Sequence, residues 1–296
     1  MIELLNYPFM QRALLAALLT GLIAPAIGTY IVQRRMSLLG DGLGHVAIAG
    51  VGLALLTNAA PTPIAVVVTV LGAITVELLR QRGKASGDVG LAILFYGGLA
   101  SGVLMAGLAG QGAGALAQYL FGSLTTVNDG DLITVAVLAV VVLVPAIGLS
   151  PQLFAISTDE EYARVLGLRV NFYNLLVVVL AAVTVTISMR TVGLLLVSAL
   201  MVVPVAAAKN LVRGLRAALF TAIVIGVVVS VGGAAGSFYA DAAPGALIVV
   251  LAIAVFIASW PVQQLTQRRT AGRVRPVGAQ SVRHDEPGRE EHGVEA

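Results

Sequence analysis

The chain has 296 residues, of which 58% are hydrophobic and 11% charged, with a net charge of +3. Soluble domains carry roughly 25% charged residues, so a water-exposed globular fold is excluded, and the mean hydropathy of +0.95 agrees. No cysteine is present, which removes disulfides, thiolate metal sites and cysteine nucleophiles together.

A helix needs about 20 apolar residues to cross the hydrocarbon core. In chain order the runs are Ala13–Val32, Gly42–Thr57, Ile64–Leu79, Val89–Leu108, Leu132–Leu149, Phe172–Met189, Val192–Ala208, Ala217–Gly236 and Gly245–Trp260. They predict an all-α, polytopic transmembrane helical bundle of nine spans. The count is eight if the short second or seventh run is re-entrant. The first run begins near Arg12 and is long enough to span, so it reads as a retained helix rather than a cleaved signal. Small-xxx-small spacings at Gly40/Gly44, Gly98/Gly102 and Gly232/Gly236 favour close helix contacts. Pro25, Pro145 and Pro204 fall inside apolar runs and are candidate kinks.

Charge placement orients the bundle. With the N-terminus outside, the inner loops hold Arg34, Arg35, Arg80, Arg82, Lys84, Arg164, Arg169, Lys209, Arg213 and Arg216, and the tail holds six more arginines. Only Arg12 and Arg190 fall outside, so Lys and Arg favour a cytoplasmic C-terminus. Residues 1–262 then form the membrane domain. Residues 263–296 are polar, carry Pro276, Pro287, His284 and His292, and read as a disordered cytoplasmic tail.

The longest inner connection, Ser150–Arg169, predicts a short surface helix. Thr158 and Glu161 have capping-box spacing, Asp159, Glu160 and Glu161 suit a first turn, and Gly167 suits a helix end. Such an element is either a grip for a soluble partner or a plain connector.

Ionisable residues inside a membrane are costly and mark candidate functional sites. The best two are Asp41 and His45, four apart on the second span and therefore on one helical face. A carboxylate and an imidazole can take two positions on a divalent ion. The competing reading makes Asp41 a helix cap and His45 its hydrogen-bonded neighbour. Glu77 is placed to pair with Arg80. Asp88, Asp129, Asp131 and Asp241 read as caps near helix ends. There is no P-loop, H-E-x-x-H or G-x-S-x-G sequence, so the chain is not read as an enzyme and any ATP hydrolysis belongs to another chain.

Four segments in order carry a family resemblance. They are Arg34-Arg-Met-Ser-Leu-Leu-Gly-Asp-Gly-Leu-Gly-His45, Tyr119-Leu-Phe-Gly-Ser-Leu-Thr-Thr-Val-Asn-Asp129, Val192-Gly-Leu-Leu-Leu-Val-Ser-Ala-Leu-Met-Val-Val-Pro204-Val-Ala-Ala-Ala, and Asp241-Ala-Ala-Pro-Gly-Ala-Leu-Ile-Val-Val-Leu. Over residues 10–262 the chain resembles the membrane permeases of bacterial ATP-binding-cassette importers for zinc, manganese and iron. It departs where Gly42 and Gly44 replace a common Ser or Ala, and where Ile48 or Ala49 replaces a Pro. These departures bear on packing.

The resemblance implies a homodimer in the bacterial inner membrane, with lipid around it, a cytosolic ATP-binding subunit, an extracytoplasmic metal-binding protein and no nucleic acid. It implies that Asp41 and His45 contact the metal. It makes the loop helix a coupling element, with Glu160, Tyr162, Ala163 and Gly167 at the contact. No cofactor is expected to stay bound, the cargo being zinc, or manganese or iron, since a carboxylate and an imidazole suit all three. The imidazole favours zinc. The alternatives are an importer of an iron chelate or cobalamin, which would not need the pair, and a gradient-driven carrier, which usually has more intramembrane acids.

Overall fold

The structure is a computed structural model and describes residues 7–82, 87–111, 114–122 and 127–271. The described residues form helices α1 (Pro8–Gln33), α2 (Leu39–Leu56), α3 (Pro61–Gln81), α4 (Gly87–Leu108), α5 (Gly114–Phe121), α6 (Asp129–Gly148), α7 (Ser150–Thr158), α8 (Glu160–Val165), α9 (Val170–Val192), α10 (Leu194–Leu211), α11 (Leu215–Ala240) and α12 (Pro244–Ala271). Among them, nine are long and apolar enough to cross a membrane. The short second and seventh runs are both complete: α2 and α10 have 18 residues each, or about 27 Å at 1.5 Å per residue.

Three features differ from the sequence reading. Helix α5 lies between predicted spans where the sequence assigns no element, and α7 is separate from the connection that follows it. Both are too short for an apolar period to show. The third is α12, which runs on to Ala271, past the predicted span end at Trp260. The rest of the predicted tail, residues 272–296 with His284 and His292, lies outside the described residues, as does Lys84.

Helices α1 and α2 are largely enclosed. Ile23, Ile27, Tyr30, Leu39, Leu43 and Ile48 are among the largest fully buried side chains, together with Leu194, Leu196 and Leu200 of α10. Helices α3, α4, α6 and α12 turn Leu71, Ile93, Leu104, Val137, Val144 and Val250 outward. In a bilayer such faces meet lipid tails, so they cost nothing there, and helix association rests on packing instead.

Small residues supply that packing. A Cβ on Gly98 would lie 2.6 Å from the His45 carbonyl carbon, and one on Gly102 2.8 Å from Ile48. Gly40 and Gly44 face Met201 and Leu194 of α10 in the same way. The third predicted pair is not used as a pair: Gly232 faces open space, and Gly233 is the residue pressed on Ile248.

One joint requires glycine for its backbone. Gly193 alone separates α9 from α10, at φ 89, a conformation that side chains disfavour. It packs on the end of α5, where a Cβ would meet the Phe121 carbonyl at 2.4 Å. Pro25, Pro145 and Pro204 all lie inside helices, in α1, α6 and α10. Near Pro145, the Ala146 carbonyl at the end of α6 accepts a hydrogen bond from the Tyr30 hydroxyl of α1, which satisfies one of the acceptors that a helix end leaves open.

Candidate functional site

Helix α2 starts without a side-chain cap. Its N-cap is Leu38, and Asp41 lies in the first turn, not at the cap. One turn on, His45 is buried, at 7% exposure. Its Nδ1 lies 2.8 Å from the Asp41 backbone oxygen. A carbonyl only accepts, so Nδ1 is the donor in this contact. The hydrogen-bonded alternative is therefore realised, through the backbone of Asp41 and not its carboxylate.

Helix α4 completes the surroundings. Because Gly98 lets it approach closely, Phe95 lies one turn away against the imidazole, with ring centroids 4.0 Å apart at 36°. Asp41 opens onto a cavity of about 250 Å³ lined also by Leu38, Leu91, Ala92, Phe95 and Tyr96. Gly72, near the middle of α3, packs on Val46, so this turn of α2 sits well inside the bundle. No group of three His, Cys, Asp or Glu side chains converges among the described residues. The sequence reading missed Phe95, although Gly98, three residues on, marks the face that packs.

The predicted surface helix is α8, with a different cap. Thr158 ends α7, and the N-cap is Asp159, whose Oδ1 accepts from the amides of Glu161 and Tyr162, both at 3.0 Å. At the other end Gly167, at φ 79, reverses the chain: its amide donates to Arg164, and that of Leu168 to Ala163, a paired pattern that suits glycine.

The four residues assigned to this element divide. Tyr162 is 59% exposed and Gly167 is exposed; Val165 and Leu166 extend the open apolar face. Ala163 is fully buried against Ile156 and Val170. Glu160 turns inward, and its Oε1 accepts from Asn174 Nδ2 at 3.0 Å and from Arg80 Nη2 at 3.2 Å.

Glu160 belongs to a cluster at this end of the bundle. Glu77 is fully buried and accepts from Arg80 at 2.9 and 3.0 Å and from Gln81 at 2.9 Å. Arg34, at the C-cap of α1, reaches between Glu77 and Glu160, at 3.5 and 3.8 Å. Burial pushes its guanidinium below the ordinary value, and Glu77 pulls it back. The Glu77–Arg80 pair was legible from its spacing. Arg34 and Glu160 were not, because they lie far apart in sequence.

The opposite end explains the two exceptional arginines. Arg12 pairs with Asp129 at 2.7 Å and Arg190 with Asp131 at 3.3 Å. Asp131 also shares a capping box with Asn128. Gln118, Tyr119, Asn128, Asp131, Arg190 and Thr191 line a polar cavity of about 290 Å³ there. Burial raises the Tyr119 hydroxyl pKa, while Arg190 opposes the shift. Asp241 is a cap of a different kind, ending α11 in the left-handed conformation. Asp88 falls in the first turn of α4, and its side chain lies outside the described residues.

A bundle of nine apolar spans with few charges, placed at its ends or on one central helix, is a multi-pass membrane protein. The chain belongs to the ABC 3 transport family, which matches residues 6–263, and is a multi-pass protein of the inner membrane. It is 30% identical to the high-affinity zinc uptake system membrane protein ZnuB of Haemophilus influenzae, covering 83% of this chain and 95% of that protein. It is 32% identical to the manganese transport system membrane protein MntC of Halalkalibacterium halodurans, over 86% and 87% of the two chains. Among solved structures, PsaBC from Streptococcus pneumoniae in complex with Fab superposes with a TM-score of 0.79 at 29% identity, covering 90% of this chain and 97% of that one.

Proposed function

We propose that this chain is the permease subunit of an ATP-driven importer of a divalent metal ion, zinc in the first place. The observation that carries the reading is the buried His45, whose Nδ1 lies 2.8 Å from the Asp41 carbonyl, one turn from an Asp41 side chain that opens onto the cavity beside α4. Relatives named for zinc and for manganese support metal as cargo. The imidazole favours zinc, and a carboxylate–imidazole pair also accepts manganese or iron.

On this reading the α8 end faces the cytoplasm, where Tyr162, Val165 and Leu166 offer an apolar face to an ATP-binding subunit. The N-terminus and the Arg190 cavity face outward, toward a metal-delivering protein. A second copy of the chain completes the pathway and brings a second Asp41–His45 pair. ATP closes the partner subunits, the loop helices move with them, and the bundle opens to one side at a time. Only a difference in ATP affinity between the two states biases that motion.

The test is uptake of radioactive zinc and manganese, in separate assays, by vesicles holding the chain with its ATP-binding subunit and its metal-delivering protein. ATP-dependent uptake that is lost in both Asp41→Ala and His45→Ala supports the reading, and the metal taken up names the cargo. Uptake that survives both substitutions makes the pair structural. A wild-type complex that takes up neither metal refutes metal import.

A further inference from the structure

The α8 end contains a buried arginine that no neighbour fully satisfies. The Arg34 side chain is 5% exposed, and neither Nε nor Nη2 makes a hydrogen bond. Its two carboxylates lie at 3.5 and 3.8 Å, beyond the roughly 2.8 Å of a good charge-assisted bond. Arg80 meanwhile grips the same two carboxylates, Glu77 at 2.9 Å and Glu160 at 3.2 Å. Buried donors are rarely left unmade, because their desolvation goes uncompensated. Arg34 therefore gains from a shift toward either acid. The differences from a good bond are about 0.7 and 1 Å, so a displacement of α8 on that scale decides which acid it binds.

The connections on either side of Arg34 give that choice a direction. Glu160 is the first residue of α8, so anything that moves α8 moves it. Arg34 caps α1, and α2 begins at Leu39, two residues before Asp41. The joint between them is strained: Arg35 adopts φ 59, while the Met36 amide donates to Ile31 at 3.1 Å. An arginine in that conformation is disfavoured relative to glycine, and strain of this kind gathers at switch points.

We propose that Arg34 is a positioning residue, tying α8 to the helix that carries Asp41 and His45 by exchanging between Glu77 and Glu160 as α8 moves. This rests on the import reading for its cargo but not for its motion. It also gives Glu160 an internal role: it passes movement inward instead of touching the partner.

Two measurements on the full complex with its ATP-binding subunit test the tie. The first is the number of zinc ions taken up per ATP hydrolysed, for wild type, Glu160→Gln and Arg34→Lys. Glu160→Gln keeps the shape and the Asn174 contact, so it guards against misfolding. Both variants are expected to lower the ratio at least fivefold in complexes that still copurify. An arginine that only stabilises the fold would leave the ratio of the surviving complexes unchanged, and that result overturns the proposal. So does a Glu160→Gln chain that loses its ATP-binding subunit while keeping the wild-type ratio, since Glu160 would then be a partner contact.

The second measurement needs no cargo. The chain has no cysteine, so spin labels at Leu38→Cys and Ile147→Cys, both exposed positions, report the start of α2 against α6. ATP is expected to change their separation in the otherwise wild-type chain, and Glu160→Gln to abolish at least half of that change. An ATP response retained with Glu160→Gln sinks the tie. If α2 responds to ATP but no metal is taken up, the import reading fails and the tie stands.

Discussion

Gly97 and Gly98 are adjacent on α4, yet alanine at the two positions is expected to act oppositely. A Cβ on Gly98 would sit 2.6 Å from the His45 carbonyl carbon and 2.7 Å from its oxygen, both backbone atoms. Reaching an ordinary contact of 3.4 Å requires α4 to retreat by about 0.8 Å. Overpacking of that sort costs about 1–3 kcal/mol. It also carries Phe95 away from the imidazole, and ligand sites tolerate roughly 0.5 Å of displacement. A Cβ on Gly97 meets nothing within 4 Å. There alanine stabilises the helix by about 0.5–1 kcal/mol or changes nothing.

The assay is thermal unfolding of each variant in detergent, followed by metal uptake in vesicles. Gly98→Ala should lower the midpoint by several degrees and uptake at least tenfold. Gly97→Ala should match or exceed wild type in stability and transport normally. Wild-type stability and uptake in Gly98→Ala would refute the close α2–α4 approach and with it the placement of Phe95. Equal damage in both would mean that α4 is sensitive to alanine in general.

Three further outcomes are expected. Gly193→Ala must hold φ 89 and press on the Phe121 carbonyl, so its unfolding midpoint should fall more than that of Gly148→Ala, which faces open space; equal midpoints would remove the role of the α9–α10 joint. Asp159→Ala deletes the cap of α8 at a cost of about 1 kcal/mol, which should weaken hydrogen-exchange protection of the Leu166 and Leu168 amides about fivefold; unchanged protection would show that packing alone holds the helix. Ala163→Leu inserts a large side chain into the fully buried contact with Ile156 and Val170, so it should displace α8 and reduce copurification of the ATP-binding subunit. Normal assembly would mean that α8 is not the docking element.

Much of the bundle was legible because span length and apolarity are properties of consecutive residues. Crossing a bilayer demands a continuous apolar helix whatever its neighbours are, so nine runs became nine helices, with ends shifted by a few residues except at the C-terminal end of α12. The Asp41–His45 spacing was legible for the same local reason, as were Gly167 as a helix end and the Glu77–Arg80 pair. Local logic also misled: Thr158 has capping-box spacing, yet Asp159 caps α8, because α7 continues through Thr158.

Contacts between distant residues could not be read in advance. Arg12 lies 117 positions from Asp129, and Arg80 lies 80 positions from Glu160. Their pairing depends on which helices lie side by side. The same holds for Gly98 against the backbone of His45, for Phe95 on the imidazole, and for the inward turn of Glu160 and Ala163. The sequence by itself determined the solvent of the chain, its spanning helices and the few ionisable residues placed within them, because desolvation and helical period act over a few neighbouring residues. Only the tertiary structure decided the packing of Phe95 on His45, the apolar face of α8 and the position of Arg34 between two acids, because these follow from packing between segments far apart in sequence.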